Sequence, residues 1–87
     1  MYTMDNRTLK DLLYEQVARV GKALASPKRL EMMEMLAQGE KSVEAVAEAV
    51  GVDIKLASAH LKALKEARLV QSRRDGKRML YRLSGQD

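Results

Sequence analysis

The densest chemistry in this 87-residue chain lies near its end, where Arg73, Arg74, Lys77 and Arg78 crowd around the dipeptide Asp75-Gly76. So many cations beside one tight turn suit a polyanion, above all a nucleic-acid backbone. A second set comes earlier, with Ile54, Lys55, Ser58, Ala59 and Lys62 at helical spacing. On one helix face these side chains match base edges and phosphates. Ser58 donates or accepts, Lys55 and Lys62 reach guanine or phosphate, and Ile54 suits a thymine methyl. The plain alternative for both sets is a solvated basic surface.

Other chemistries lack their residues. There is no Cys, which removes disulfides, thiolate nucleophiles and sulfur-ligated metals, and the reducing cytoplasm fits this usage. His60 is the single histidine, so one chain cannot assemble a multi-histidine metal site, and its reading is packing or phosphate bonding. Met32, Met33 and Met35 are read as core filling rather than copper-binding thioethers, because only alternate members share a helix face. Asp53 and Glu44 sit at helix starts, where carboxylates stabilise the N-terminus, and do not form a catalytic pair. No nucleophile–base set, Walker loop or dinucleotide fingerprint occurs, so neither catalytic residues nor metal nor cofactor is expected.

Charge distribution agrees with the basic sets. Residues 1–53 carry 7 basic and 9 acidic side chains, whereas residues 54–87 carry 9 basic and 3 acidic ones, so a net +4 hides a −2 half and a +6 half. No apolar run approaches the roughly 18 residues of a membrane span, and Met1 to Arg7 holds no export signal, so the expected location is cytoplasmic, away from membranes.

The elements that must position these residues are legible from periodicity. The apolar share is 46% with three Tyr and neither Phe nor Trp, so the core must consist of aliphatic helix faces in one domain spanning 1–87. Leu9, Leu12, Leu13, Val17, Val20 and Leu24 predict a helix over about 6–24, with Thr8 and Asp11 as a capping pair. Within it, Leu9, Leu13, Val17 and Val20 form a stripe too apolar for a lone surface helix, suited to a second copy of the chain. Ser26-Pro27 opens a second helix to about 38, with Leu30, Met33 and Leu36 inward and Gly39 as the stop. Ser42 caps a third, with Val43, Val46, Ala47 and Val50 inward and Gly51 ending it. Asp53 caps a fourth through about Ala67, with Ala57, Leu61 and Leu64 on its core face. After Ala67 the period shortens to that of strands, and Asp75-Gly76 reads as a two-residue hairpin turn pairing Arg74 with Lys77, Ser72 with Met79 and Val70 with Tyr81. That register sets Val70, Met79, Tyr81 and Leu83 inward and Arg73, Arg78 and Arg82 outward.

Two helices joined by a three-residue Gly-containing turn, followed by a basic hairpin over about 69–83, make a mainly α fold with a β-hairpin wing: a winged helix-turn-helix. The expected partner is double-stranded DNA, with two copies placing recognition helices in successive major grooves. The rival from another class is a winged helix whose basic wing binds an acidic protein surface.

The residues also resemble a known family. Lys22-Ala-Leu-Ala-Ser-Pro-Lys-Arg-Leu30, Val46-Ala-Glu-Ala-Val-Gly51, Ser58-Ala-His-Leu-Lys-Ala-Leu64, Leu69-Val-Gln-Ser-Arg-Arg-Asp-Gly76 and Tyr81-Arg-Leu83 look like the ArsR-type bacterial metalloregulatory repressors. The nearest likeness is to the subgroup fused to a rhodanese-like sulfurtransferase domain, which makes service as the regulatory domain of a longer chain a further alternative. The resemblance implies a dimeric repressor on an inverted-repeat operator. It does not carry over metal sensing. Lys41-Ser-Val-Glu-Ala-Val46 offers no thiolate where the family places cysteines, and no His- and acid-bearing helix follows Leu83 in these residues. Arg68 stands where related sequences have Gly, so a left-handed conformation there costs roughly 1 kcal/mol.

Overall fold

The computed structural model describes residues 6–85, so Asp87 and most of the Met1–Arg7 segment lie outside it. Helix α1 (Asn6–Ala23) begins two residues before Thr8, which therefore lies inside the helix and does not cap it. Residues 7–19 are all exposed, and α1 joins the core only at its end, where Ala23 is 4% exposed. An 18-residue helix is about 27 Å long. Anchored at one end, it draws the molecule out to 49 × 26 × 21 Å.

Helix α2 (Pro27–Ala37) starts as Ser26-Pro27 requires: the Ser26 Oγ accepts from the Arg29 N–H at 3.4 Å and Pro27 occupies the first turn. Of the expected stripe Leu30, Met33 and Leu36, Leu36 and Met33 face the core and Leu30 does not, its place being taken by Met32. Met32 and Leu36 are fully buried, Met33 and Met35 are half-buried against the core, and Leu30 is 51% exposed. Hydropathy does not separate these side chains. The packing does, because α2 is wedged against two helices and a strand, and a flexible thioether fills that irregular space better than a branched leucine.

A two-residue strand, β1 (Lys41–Ser42), follows and leads directly into α3 (Val43–Val50). Ser42 Oγ accepts from the Ala45 N–H at 3.1 Å. Val43, Val46, Ala47 and Val50 are all buried, as the periodicity requires, and Gly51 takes the left-handed conformation (φ 74°) that ends the helix. Helix α4 (Ile54–Glu66) then buries Ala57, Leu61 and Leu64 completely. Each fully buried leucine contributes about 1.5–3 kcal/mol.

Helix α4 ends through Arg68 in a left-handed conformation (φ 64°). The Leu69 N–H donates to the Leu64 carbonyl (3.0 Å) and the Arg68 N–H to the Lys65 carbonyl (2.9 Å), the two bonds of a Schellman cap. The strain at Arg68 is accepted, and the chain turns sharply into the wing.

The wing is β2 (Val70–Asp75) and β3 (Arg78–Leu83), with β1 added on the far side of β3 in an antiparallel sheet of order β1-β3-β2. Its register differs from the sequence expectation. Asp75 pairs with Arg78, Ser72 with Tyr81 and Val70 with Leu83, so Gly76 and Lys77 form the turn. Gly76 carries the positive φ (64°) and Lys77 does not, as a II′ turn demands. Pairings therefore slip by two residues, and because side chains alternate with period two the faces survive. Val70 and Tyr81 are buried, with Met79 and Leu83 packed against the core beside them.

Candidate nucleic-acid interface

Helices α3 and α4 meet across Gly51, Val52 and Asp53. Three local interactions fix their geometry. Asp53 Oδ1 accepts from the Leu56 N–H at 2.7 Å, so its carboxylate is a cap. The Val52 N–H donates to the Ala47 carbonyl at 3.0 Å. Lys28, on α2, donates its Nζ to the Val50 carbonyl at 2.5 Å and lies 3.8 Å from Glu31, placing a cation at the negative end of α3. That last contact, 22 residues apart, left no trace in local pattern.

With Ala57, Leu61 and Leu64 at zero exposure the phase of α4 is set. Lys55, Ala59 and Lys62 point to solvent, Ile54 is 53% exposed, and Ser58 is half-buried on the flank toward the wing. On that same flank Lys65 donates to Ser72 Oγ of β2 at 2.6 Å, tying helix to wing. Leu56, 45% exposed on the opposite flank, was not singled out by the sequence, where it reads as one more helix-favouring leucine.

The four cations flanking the wing's turn fall into two groups. Arg73 makes a two-point ion pair with Glu40, Nε to Oε2 at 2.9 Å and Nη2 to Oε1 at 2.7 Å. Arg78 pairs with Asp75 across the turn at 3.2 Å. Arg74 and Lys77 are exposed and have no partner among the described residues.

Comparison with known proteins places this architecture. The family model described as "Bacterial regulatory protein, arsR family" matches residues 26–72, which run from the cap of α2 to the first half of the wing. The chain belongs to the ArsR family. An HTH-type transcriptional regulator of Mycobacterium tuberculosis, Rv0324, is 54% identical over 78 residues, covering 90% of this chain and 34% of that protein. KmtR of the same organism, also an HTH-type transcriptional regulator, is 41% identical over 70 residues, 80% of this chain and 54% of its own length. The chain thus spans about a third and about half of these two relatives. Among solved structures, the homodimeric winged helix-turn-helix DNA-binding domain Mb0332 of Mycobacterium bovis superposes with a TM-score of 0.85 at 50% identity, covering 98% of this chain and 77% of that one. NolR of Sinorhizobium fredii superposes at 0.80 with 33% identity, covering 98% and 83%.

In this ArsR-family chain His60 has a specific neighbour. The Arg29 Nε–H donates to His60 Nδ1 at 2.9 Å, which requires a lone pair on that nitrogen. Burial lowers the His60 pKa below 6.5, and the Arg29 charge lowers it further. Arg29 also donates to the Ala23 carbonyl at 3.4 Å, so His60 belongs to a packed seam linking α4, α2 and the end of α1. Among the described residues no three His, Cys, Asp or Glu side chains cluster as a metal site, and no helix is long and apolar enough to cross a membrane. The Glu40 carboxyl is held below its usual value first by the Arg73 hydrogen bond, and the Arg73 guanidinium is correspondingly raised by Glu40.

Proposed function

We propose that this ArsR-family chain is a sequence-specific double-stranded DNA-binding transcription regulator, a repressor, acting as a homodimer on an inverted-repeat operator. The observation that carries it is the outer face of α4. Ile54, Lys55, Ala59 and Lys62 stand exposed on a helix whose opposite face is wholly buried, and the unpaired cations Arg74 and Lys77 sit at the tip of the adjoining wing. Ile54, Lys55, Ser58, Ala59 and Lys62 meet the major groove; Arg74 and Lys77 meet the flanking backbone or minor groove. The description of the Mycobacterium bovis domain as homodimeric and DNA-binding supports the same reading. So does that of a probable mercury resistance operon repressor of Streptomyces lividans, 34% identical over 67 residues.

The dimer reading rests on α1. Leu9 (49%), Leu13 (55%) and Val17 (68%) are exposed along a helix that touches its own chain only near its end, and Val20 completes the stripe half-buried. A second copy covers this face and sets the spacing of the two recognition helices, about 34 Å for successive major grooves.

Fluorescence anisotropy with a labelled duplex between about 50 and 200 mM salt tests the function. The expected result is a steep fall in affinity. A flat response on every duplex refutes it and favours the module that binds acidic proteins through its wing.

A finer reading concerns chain organisation. The resemblance to rhodanese-fused regulators, with a relative in which the matched region is 34% of the protein, supports a role as the regulatory domain of a sulfurtransferase-containing polypeptide. The full reading frame decides this: a downstream domain with a catalytic cysteine supports it, and a stop codon after Asp87 ends it.

A further inference from the structure

We propose that Glu40 is a positioning residue for the wing: it holds Arg73 across the outer face of the sheet, so that Arg73 sets the wing's attitude and leaves phosphate binding to Arg74 and Lys77. The proposal rests on the DNA-binding reading for its functional consequence and on geometry for its mechanism.

The geometry is specific. The guanidinium and carboxylate meet fork to fork, through two hydrogen bonds of 2.9 and 2.7 Å, which fixes orientation as well as distance. The pair joins segments 33 residues apart, whereas Arg78–Asp75 closes its own turn through one 3.2 Å contact and orients nothing beyond it. Glu40 is the better protected partner, its side chain 27% exposed against 58% for Arg73, so the carboxylate is the fixed post and the arginine the reaching arm.

What lies between them gives the bridge a purpose. In register Arg73 faces Leu80, and Leu80 faces Ser42, so the ion pair crosses the strand at the one outer position that carries a buried leucine. Leu80 is 7% exposed yet stands outside the main core cluster. Glu40 also immediately precedes β1, where Lys41 pairs with Tyr81 while Ser42 both pairs with Leu80 and caps α3. Three consecutive residues thus couple wing to helix-turn-helix: a side-chain clamp, a ladder and a cap. The Lys65–Ser72 bond restrains β2 from the opposite face. Arg82, whose charge also favours the ionised Glu40, supports the clamp, and Asp75 weakly opposes it.

The competing account makes Glu40 a decoy that neutralises Arg73 until DNA displaces it, and the two accounts predict opposite signs. The probe is the labelled duplex recovered by in vitro selection on the wild-type chain. Under the proposal Glu40→Ala and Arg73→Ala each weaken binding by about two- to fivefold, the range expected of an exposed pair. The double variant is no weaker than either single one, the salt slope stays at the wild-type value, and the reversed pair Glu40→Arg with Arg73→Glu, which conserves net charge, recovers most of the loss. Tighter binding by Glu40→Ala, or a slope reduced by about 1.8 in Arg73→Ala (one phosphate for each protomer of the dimer), makes Arg73 a phosphate ligand and overturns the proposal. Unchanged affinity overturns it as well. Wing attitude is read separately, without DNA, from residual dipolar couplings of amides in residues 70–83 against those of α4. Glu40→Ala must change them, and identical couplings refute the clamp even if selection on the wild type recovers no duplex and the DNA reading itself falls.

Discussion

Arg68 offers a direct test of the backbone geometry that joins recognition helix to wing. Its φ of 64° is the only positive value among non-glycine residues described. For a residue with a Cβ that region costs about 1–2 kcal/mol. Glycine removes the cost but adds unfolded-state freedom worth about 0.5–1 kcal/mol. Arg68→Gly is therefore expected to stabilise the fold by about 0.5–1 kcal/mol, which raises the melting temperature by about 2–8 °C in a domain of this size. The Schellman bonds from Arg68 and Leu69 use backbone atoms only and survive the change. Because Arg68 lies in the +6 half of the chain, relief of charge repulsion needs its own control, and Arg68→Ala supplies it by removing the charge while keeping the strain. Melts followed by circular dichroism at one fixed protein concentration, since dimerisation makes the midpoint concentration-dependent, give the comparison. A rise for glycine with none for alanine is the expected pattern. An equal rise for both, or a fall for glycine, refutes the strain argument.

Three further outcomes are expected. Arg74→Ala and Lys77→Ala weaken binding to all duplexes alike and each reduce the salt slope by about 1.8, two phosphates per dimer, whereas Ser58→Ala and Lys55→Ala lower the preference for selected over random duplex by about 1–3 kcal/mol per lost base contact, all read by anisotropy. Val17→Asp and Leu13→Asp convert the dimer to monomer in sedimentation velocity without loss of helical signal, because both side chains are exposed within one protomer. The His60 pKa lies below 6.5 in the folded chain, so the unfolded chain takes up its proton first as pH falls; the stability contributed by neutral His60 is complete above 6.5 and is lost as pH drops from there through the folded value. Melting midpoints on either side of 6.5 must show this acid loss in the wild type and a smaller one in His60→Gln.

The sequence was most informative where local rules act alone. Ser26-Pro27, Ser42 and Asp53 stand as caps, and the inward sets of α3 and α4 are complete, because capping and 3.6-residue periodicity need only neighbours in the chain. It was least informative where distant segments decide. β1 is two residues long, and Lys41-Ser42 has no alternation to betray a strand. The choice of Met32 over Leu30 as the buried residue of α2 depends on the shape of a space bounded by three other elements. The hairpin turn is centred on Gly76-Lys77 rather than Asp75-Gly76 because pairing along the sheet, including β1, selects the register, while turn composition fits either. Of the basic residues expected to meet DNA, nothing in the sequence separates Arg73 and Arg78 from Arg74 and Lys77; only folding brings Glu40 to Arg73 and Asp75 to Arg78 and leaves the other two open.

This division changes what the +6 of residues 54–87 can do. Arg73 is paired with Glu40 and Arg78 with Asp75, so two of the wing's five cations are compensated by carboxylates and build the frame, and Lys65 joins that frame through the neutral Ser72 hydroxyl. Lys55 and Lys62 on the helix face and Arg74 and Lys77 at the wing tip remain free for phosphates. If a dimer uses all of these and no others, it neutralises eight phosphates, and the logarithmic salt slope is about −7. A distinctly steeper slope means that the paired arginines leave their carboxylates on binding, and the frame is then part of the ligand site. A slope near −7 means that affinity and architecture are carried by different cations, so that Arg74 and Lys77 can be altered to tune binding without moving the wing that presents them.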